Sequence, residues 1–431
     1  MAVKGKRSIS RVKVGCSCSM PGVWQAVAHN QGAAVIFHSP KGCGHIARKM
    51  EIGGFYRALG RGKKTIAAYT APLIISGLKE EHSIFGGSEM LARCIDFVMQ
   101  KYQPLYVLIA NSCVSGVIGD DIASVAAEAE RKWDRPILTV NACGFLNGNY
   151  HGGYYDAGMA LLDRFVKRRE RRMNKVAVIG DHNGPGGKEF KELKRLVKYF
   201  ALEVDCFFPS YASLEVIGNL SACRCTLLSM GTPPSVAWNE KLCRAIEERY
   251  GVDFFDQLPI ASVSGLENWL RRLGAYLGRE DLAQQVIAEE RRILAENLPL
   301  IQDKLKGKKV LLFLGRSLVY LYPDWILEVI RLSGLQLCGI ILASGFTDRQ
   351  REEMTEVFAA LTEAPIWSEA SAYADILPDI DFFVATEELE SLEQIQFVLP
   401  MIPPLGTNGL LELLQKMTRL AAKRRGGVIY G

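Results

Sequence analysis

Three successive strand–helix alternations predict an α/β protein of three doubly wound, Rossmann-like domains, each a parallel sheet flanked by helices. The alternations open at Ala34–His38, Lys175–Gly180 and Lys309–Leu314. The chain has 431 residues, of which 48% are apolar, which sets a prior of two or three domains with real cores. The expected domains are residues 1–173, 174–306 and 307–431.

In the first domain an irregular arm leads to a turn or helix at Val23–His29. The apolar run Ala34–His38 then ends in Ser39-Pro40-Lys41-Gly42, a strand followed by a turn. A helix is expected over Ile46–Met50 and a Gly-rich basic loop over Gly53–Lys64. Within that loop Gly62-Lys63-Lys64-Thr65 fails as a phosphate loop, because position 57 is Arg57 where its first glycine belongs. Leu73–Ile75 is a short apolar piece, and Leu91, Ile95 and Val98 share a face of a helix over Gly87–Lys101. Leu105–Ala110 is a strand rich in branched and aromatic residues, broken by Asn111. A helix follows over Ile118–Arg131, with Asp120 and Asp121 at its amino end, where acidic side chains cap. Pro136–Val140 is the next strand, and a helix over Gly158–Arg172 closes the domain in the basic run from Lys167 to Arg172.

The second domain continues with a helix from Lys188 to Phe200 and strands at Leu202–Phe207 and Cys225–Met230. Helices are then expected over Ser235–Tyr250, after a Pro233-Pro234 start, and over Gly265–Leu277 and Arg279–Leu305. In the third domain, strands at Leu337–Leu342 and Asp381–Ala385 precede a carboxyl-terminal helix from Gly409 to about Arg424.

A net charge of +5 is mild for this length and argues neither for a nucleic-acid binder nor against one. Eleven cysteines, odd in number and irregular in spacing, fit reduced thiols with a metal site better than a secreted disulfide framework. Met1–Gly15 is basic but lacks the apolar core of a secretory signal, and no apolar run reaches the roughly 18 residues of a membrane span. The expectation is a soluble, cytoplasmic protein.

Cys43 and Cys113 each lie just past the carboxyl end of a strand, where open α/β sheets place their ligands. Gly42 and Gly44 flank Cys43, so the backbone there can approach a bound group closely. With Cys18, 25 residues before Cys43, and Cys113, 70 residues after it, they form one candidate iron–sulfur site built from three loops. Cys16 competes with Cys18, since the two lie on one side of an extended chain. His38 and His45 bracket the Cys43 loop, either steadying it or tuning a bound cluster. Lys41, Arg48 and Lys49 add positive charge nearby. Cys94, Cys206, Cys243 and Cys338 read as core, and Cys143 as packing or as part of the site wall.

The stretches Cys18…Gly22…His38…Gly42-Cys43, Phe85-Gly86-Gly87 and Cys113…Gly116…Ile118-Gly119-Asp120-Asp121 resemble the amino-terminal cluster motif of nitrogenase component 1 subunits. Relatives of that family include the light-independent protochlorophyllide reductases, the nickel-tetrapyrrole reductive cyclase and cofactor-assembly scaffolds. Gly180-Asp181-His182-Asn183-Gly184 is similar to the family's second-domain strand end. The resemblance implies metal ligands at Cys18, Cys43 and Cys113, with Gly42, Gly44 and His38 in the cofactor-binding loop. It implies a 4Fe–4S cluster or, alternatively, an 8Fe–7S cluster shared at a subunit interface. Three thiolates are one short of four, which implies a second component 1 subunit, homologous or identical. The chain carries no nucleotide loop, so an ATP-dependent iron–sulfur reductase would be a separate polypeptide. A small-molecule substrate is implied as well, with no nucleic acid and no membrane among the partners.

Two features depart from the family. Cys223 and Cys225 are out of register with its second cofactor cysteine, and no histidine lies beyond His182 to match its carboxyl-terminal ligand. The departure favours an electron-relay subunit, or a relative reducing an unsaturated organic substrate such as a tetrapyrrole. A scaffold for metallocluster assembly without turnover is the alternative. A three-domain binding protein with incidental thiols is the third reading.

Overall fold

A computed structural model describes residues 18–49, 68–144, 149–180, 184, 186–258, 262–315, 322–343, 345–368, 374–389, 394–422 and 427–431. Cys16, the Gly53–Lys64 loop and Asp181–Asn183 lie outside these residues.

In chain order the first elements are α1 (Met20–Val27), β1 (Ala33–His38), α2 (residues 41–49), β2 (Leu73–Ile75), α3 (His82–Phe85) and α4 (Ser88–Tyr102). They continue with β3 (Tyr106–Asn111), α5 (Cys113–Ile118), α6 (Ile122–Trp133), β4 (Ile137–Asn141) and α7 (Tyr150–Phe165). The strands form one sheet in the order β2-β1-β3-β4, every pair parallel. β1 is buried along its whole length, the unbroken apolar reading of a parallel strand covered on both faces. Leu91, Ile95 and Val98 of α4 pack with Ile122, Ala126 and Ala129 of α6 against Ile36 and Ile109. Burying such a side chain stabilises the fold by about 1.5–3 kcal/mol.

The register of this sheet positions the site. His38 pairs with Asn111, Asn111 with Asn141, and Phe37 with Ile75, one residue before Ser76. Ser76, His38, Asn111 and Asn141 therefore stand in a row across the carboxyl edge. β1 is followed by β2 on one side and flanked by β3 on the other. The strand order reverses between β1 and β3, and the crevice lies at their carboxyl ends.

Two helix expectations give way to local chemistry. The expected Ile118–Arg131 helix begins only at Ile122, as α6, because Ile118 closes the separate helix α5 and Gly119 takes φ 79° between them. Gly158–Arg172 is instead α7, which begins at the Asn149 cap and ends at Phe165. The basic residues beyond it run extended into β5 (Arg172–Ile179). Their cations are captured by carbonyls: Arg171 donates to Ser221, to Cys223 O (3.0 Å) and to Tyr250 O (2.8 Å), and Arg168 donates to Arg249 O at 3.0 Å.

The second sheet adds α8 (Lys188–Lys198), β6 (Glu203–Phe208), α9 (Leu214–Gly218), β7 (Cys223–Leu228), α10 (Pro233–Tyr250) and β8 (Asp253–Phe255) to β5. Its order is β6-β5-β7-β8, again all parallel. The third comprises α11 (Val263–Leu277), α12 (Glu280–Leu305), β9 (Lys309–Leu314), α13 (Pro323–Ser333), β10 (Gln336–Leu342), α14 (Asp348–Ala359) and β11 (Ile366–Trp367). It is completed by β12 (Phe382–Ala385), β13 (Ile395–Val398), α15 (Gly406–Ala422) and β14 (Gly427–Tyr430), in the order β11-β10-β9-β12-β13-β14. Three parallel sheets flanked by helices are thus present. By contacts the chain divides into two compact units. One carries the first two sheets, runs to Ser229 and takes in Ser235–Asp256; the other takes in Met230–Pro234 and Gln257–Gly431. Among the described residues no helix is long and apolar enough to cross a membrane.

Candidate metal centre

Cys43 sits in the first turn of α2, directly after β1, and its N–H donates to Pro40 O at 3.2 Å. Cys113 opens α5 directly after β3. Ser112 caps that helix in a reciprocal box with Ser115, which fixes the first turn and with it the sulfur. The Gly144 N–H, just past β4, donates to Cys113 Sγ at 3.1 Å. Burial pushes the pKa of the Cys43 thiol up and makes it less acidic than usual; a bond from Ser39 opposes that, and the Cys113 thiol adds to it.

Cys18 arrives from a different direction. It precedes α1, and the hydroxyl of its neighbour Ser19 donates to Ala142 O at 2.8 Å, beside the end of β4. The crossing of α1 over α7 holds it there. A Cβ on Gly22 would lie 1.8 Å from Tyr150 O, and one on Gly153 would lie 2.1 Å from Ser19 O, so only glycine allows this approach. The structure thus brings Cys18, Cys43 and Cys113 to one end of one sheet, each half-buried and outside any disulfide.

This donor set fits an iron–sulfur cluster. Soft thiols come from three fixed loops, a backbone N–H already points at one sulfur, and the space beside Gly42 is open. Among the described residues no three His, Cys, Asp or Glu side chains could hold a single metal ion. A cluster makes a different demand, because each thiolate binds its own iron.

The sequence matches the family described as nitrogenase component 1 type oxidoreductase over residues 18–376, well over half of its length. The chain belongs to the nitrogenase component 1 family. Among similar family members, a protein named nitrogenase iron-molybdenum cofactor biosynthesis protein NifE, from Rippkaea orientalis, is 30% identical over 251 residues, covering 55% of this chain and 50% of that protein. The nitrogenase molybdenum-iron protein alpha chain of Methanosarcina barkeri is 24% identical over 286 residues, covering 65% of this chain and 51% of that one. The chain spans about half the length of these curated relatives. A solved structure titled "Nitrogenase Cp1 at pH 6.5" shares the fold with a TM-score of 0.63 at 16% identity, over 96% of this chain and 91% of that one.

In this component 1 family member the remaining candidates take distinct places. His38 is fully buried and both ring nitrogens are engaged: Nδ1 lies 3.0 Å from Ser76 Oγ and Nε2 lies 2.9 Å from Asp120 Oδ2. It therefore lies beneath the Cys43 loop as a brace. Gly44 packs against Ile75, whose Cδ1 would be 2.0 Å from a Cβ, so its glycine answers to the sheet. Asp121 caps α6 by accepting from Ser124 N at 3.0 Å, whereas Asp120 turns inward to His38 and Gly87. Arg48 donates to Leu73 O at 2.9 Å.

Cys94, Cys206 and Cys243 are buried, as is the pair Cys223 and Cys225, while Cys338 is half-buried. Burial pushes Cys94 up to about 11 and Cys223 up to about 12, far from the thiolate a metal needs. Cys143 is buried beside α5, with its sulfur 3.5 Å from where a Cβ of Gly116 would stand. Sequence reading missed Ser76, Ser115 and Gly144. They carry no motif of their own and enter only through register and loop closure. Three large apolar side chains on α3 and α5 are exposed: Ile84 at 78%, Phe85 at 86% and Val117 at 81%.

Proposed function

We propose that this chain is a subunit of a nitrogenase-like reductase. It would receive electrons, one at a time, from a separate ATP-dependent iron–sulfur reductase and relay them to a substrate or second cofactor. Cys18, Cys43 and Cys113 would hold the relay cluster, of 4Fe–4S type or an 8Fe–7S cluster shared with a second component 1 subunit. When bound, the cluster supplies one-electron storage. The chain's own part is to fix the thiolates, direct the Gly144 N–H at one sulfur, and limit water at the crevice. The observation that carries this reading is the placement of Cys43 and Cys113 at the point where the first sheet's strand order reverses, with Cys18 held alongside. Exposed Ile84, Phe85 and Val117 form an apolar surface beside the thiols, of the kind that partner proteins cover.

The test is anaerobic purification with iron and sulfide analysis of the wild type against Cys43→Ala. Loss of most iron in the variant is the expected result; equal iron in both would remove the assignment.

A second reading, a scaffold that binds a nascent metallocluster and passes it on, is favoured by one observation. Relatives named as cofactor biosynthesis proteins match this chain. Substrate reduction with the reductase and ATP supports the first reading. Transfer of iron to an acceptor protein without turnover supports the second.

A further inference from the structure

The side chain that joins the loops of the thiol site is His38. Its backbone oxygen accepts from Ser112 N at 3.2 Å and from the Ser115 hydroxyl at 3.0 Å, which ties the end of β1 to the cap of the Cys113 helix. One ring nitrogen reaches Ser76 after β2, and the Ser76 oxygen also accepts from Ser39 N at 3.1 Å, at the start of the Cys43 loop. The other reaches Asp120, between α5 and α6. The second oxygen of Asp120 accepts from Gly87 N at 2.6 Å, two residues after Phe85. A Cβ on Gly87 would lie 2.8 Å from Asp120 Oδ2 and 3.0 Å from His38 Cε1, so the loop closes on this pair. The His38 and Asp120 side chains are 0% and 2% exposed, so no water competes for these bonds.

We propose that His38, locked by Asp120 in its Nε2–H tautomer, is the positioning residue of the thiol site. The pair joins the Cys43 and Cys113 loops to the exposed Ile84–Phe85 knuckle in one directional hydrogen-bond chain. The direction follows from the partners. A carboxylate only accepts, so Nε2 carries the proton; with a neutral ring Nδ1 then accepts, and Ser76 gives its hydroxyl proton. Burial lowers the basicity of His38, against the bond and charge of Asp120, which suits a neutral ring. The arrangement sets the attitude of the knuckle relative to both sulfurs without placing the imidazole on the metal. Its consequence rests on the metal-centre reading; its test does not.

The experiment uses metal-free full-length protein with 15N-labelled histidine, of which the chain has six. The wild type is expected to show a neutral His38 protonated at Nε2. In Asp120→Asn the amide oxygen faces the Gly87 N–H and the NH2 faces the ring, so the proton is expected to move to Nδ1. A role limited to packing would leave the tautomer unchanged. In Asp120→Ala, amide exchange across Ile84–Gly87 and Ser112–Ser115 is expected to rise at least ~10-fold, with peptides of the second sheet unchanged, since the buried anchor of these loops is gone. An Nδ1–H ring in the wild type, an unchanged tautomer in Asp120→Asn, or unchanged exchange in a folded Asp120→Ala would overturn the proposal. If Asp120→Ala does not fold, the first two measurements decide. Failure of the metal-centre reading would register separately, as unchanged iron in Cys43→Ala.

Discussion

Gly22 of α1 and Gly153 of α7 open the same helix crossing from its two sides: a Cβ on Gly22 would strike Tyr150 O, and one on Gly153 would strike Ser19 O. The contact leaves no room for a methyl group and sits one turn from Cys18. Gly153→Ala is expected to cost about 1–3 kcal/mol from overpacking. It is also expected to displace Cys18 before it disturbs Cys43. Urea unfolding gives the first, and alkylation rates of the two thiols in metal-free protein give the second.

Burial lowers the pKa of His151, in the first turn of α7, to about 4. Its folded pKa lies below the unfolded value of about 6.5, so the unfolded chain binds the extra proton first. Stability is fully present above about pH 6.5 and falls as pH drops toward 4, by an amount on the order of 2–3 kcal/mol. His151→Asn should flatten that part of a pH–stability curve measured by denaturant unfolding.

Iodoacetamide should sort the thiols by environment. Cys18, Cys43 and Cys113 are half-buried and expected to react in the native metal-free protein, while Cys94, Cys206 and Cys243 should react only after unfolding. Iron bound before treatment should protect the first three. Peptide mass spectrometry reads both results.

Arg171 donates to three carbonyls: Ser221 just before β7, Cys223 in β7 and Tyr250 at the end of α10. Arg171→Ala leaves those partly buried acceptors unpaired, at a cost of about 2–3 kcal/mol. A lowered denaturation midpoint with unchanged iron would fit that role.

Phe85 is 86% exposed, so Phe85→Ala should change stability by no more than about 0.5 kcal/mol. Under the proposed function it should nonetheless slow electron delivery from the reductase several-fold. A stopped-flow measurement against the wild type checks this.

Much of the fold was legible because its signals are local. The runs at β1, β3, β9 and the Val176–Ile179 half of β5 are dominated by apolar residues, and the break at Asn111 is written in a single residue. β8, β11, β13 and β14 escaped reading, being two to four residues long and defined by the neighbours they pair with. The helix expected to end at Arg172 failed for a related reason. The basic run carries helix-forming residues, but distant carbonyls take its guanidinium groups and draw the chain out straight. At the site, Cys43 and Cys113 could be found from strand ends alone. The brace formed by Ser76, His38 and Asp120 could not, because its members lie 38 and 82 residues apart and meet only through sheet register. Adjacent Asp120 and Asp121 look alike in the sequence, yet one caps a helix in solvent and the other is sealed beneath the thiols.

The four-residue polar row across the first sheet makes its two edges unequal in what they tolerate. Adding one residue inside β1 or β3 advances a strand end by about 3.3 Å and turns its side chains over. That exceeds the length of a metal–sulfur bond and would uncouple Cys43 from Cys113. At the opposite edge, the turn at Asp134–Pro136 bears no thiol and meets no such demand, although the turn at Asn30–Gly32 is tied down by the buried Asn30 amide. Lineages descended from a common ancestor of this chain should therefore differ in length at the Asp134–Pro136 turn and keep the thiol-bearing edge fixed in count.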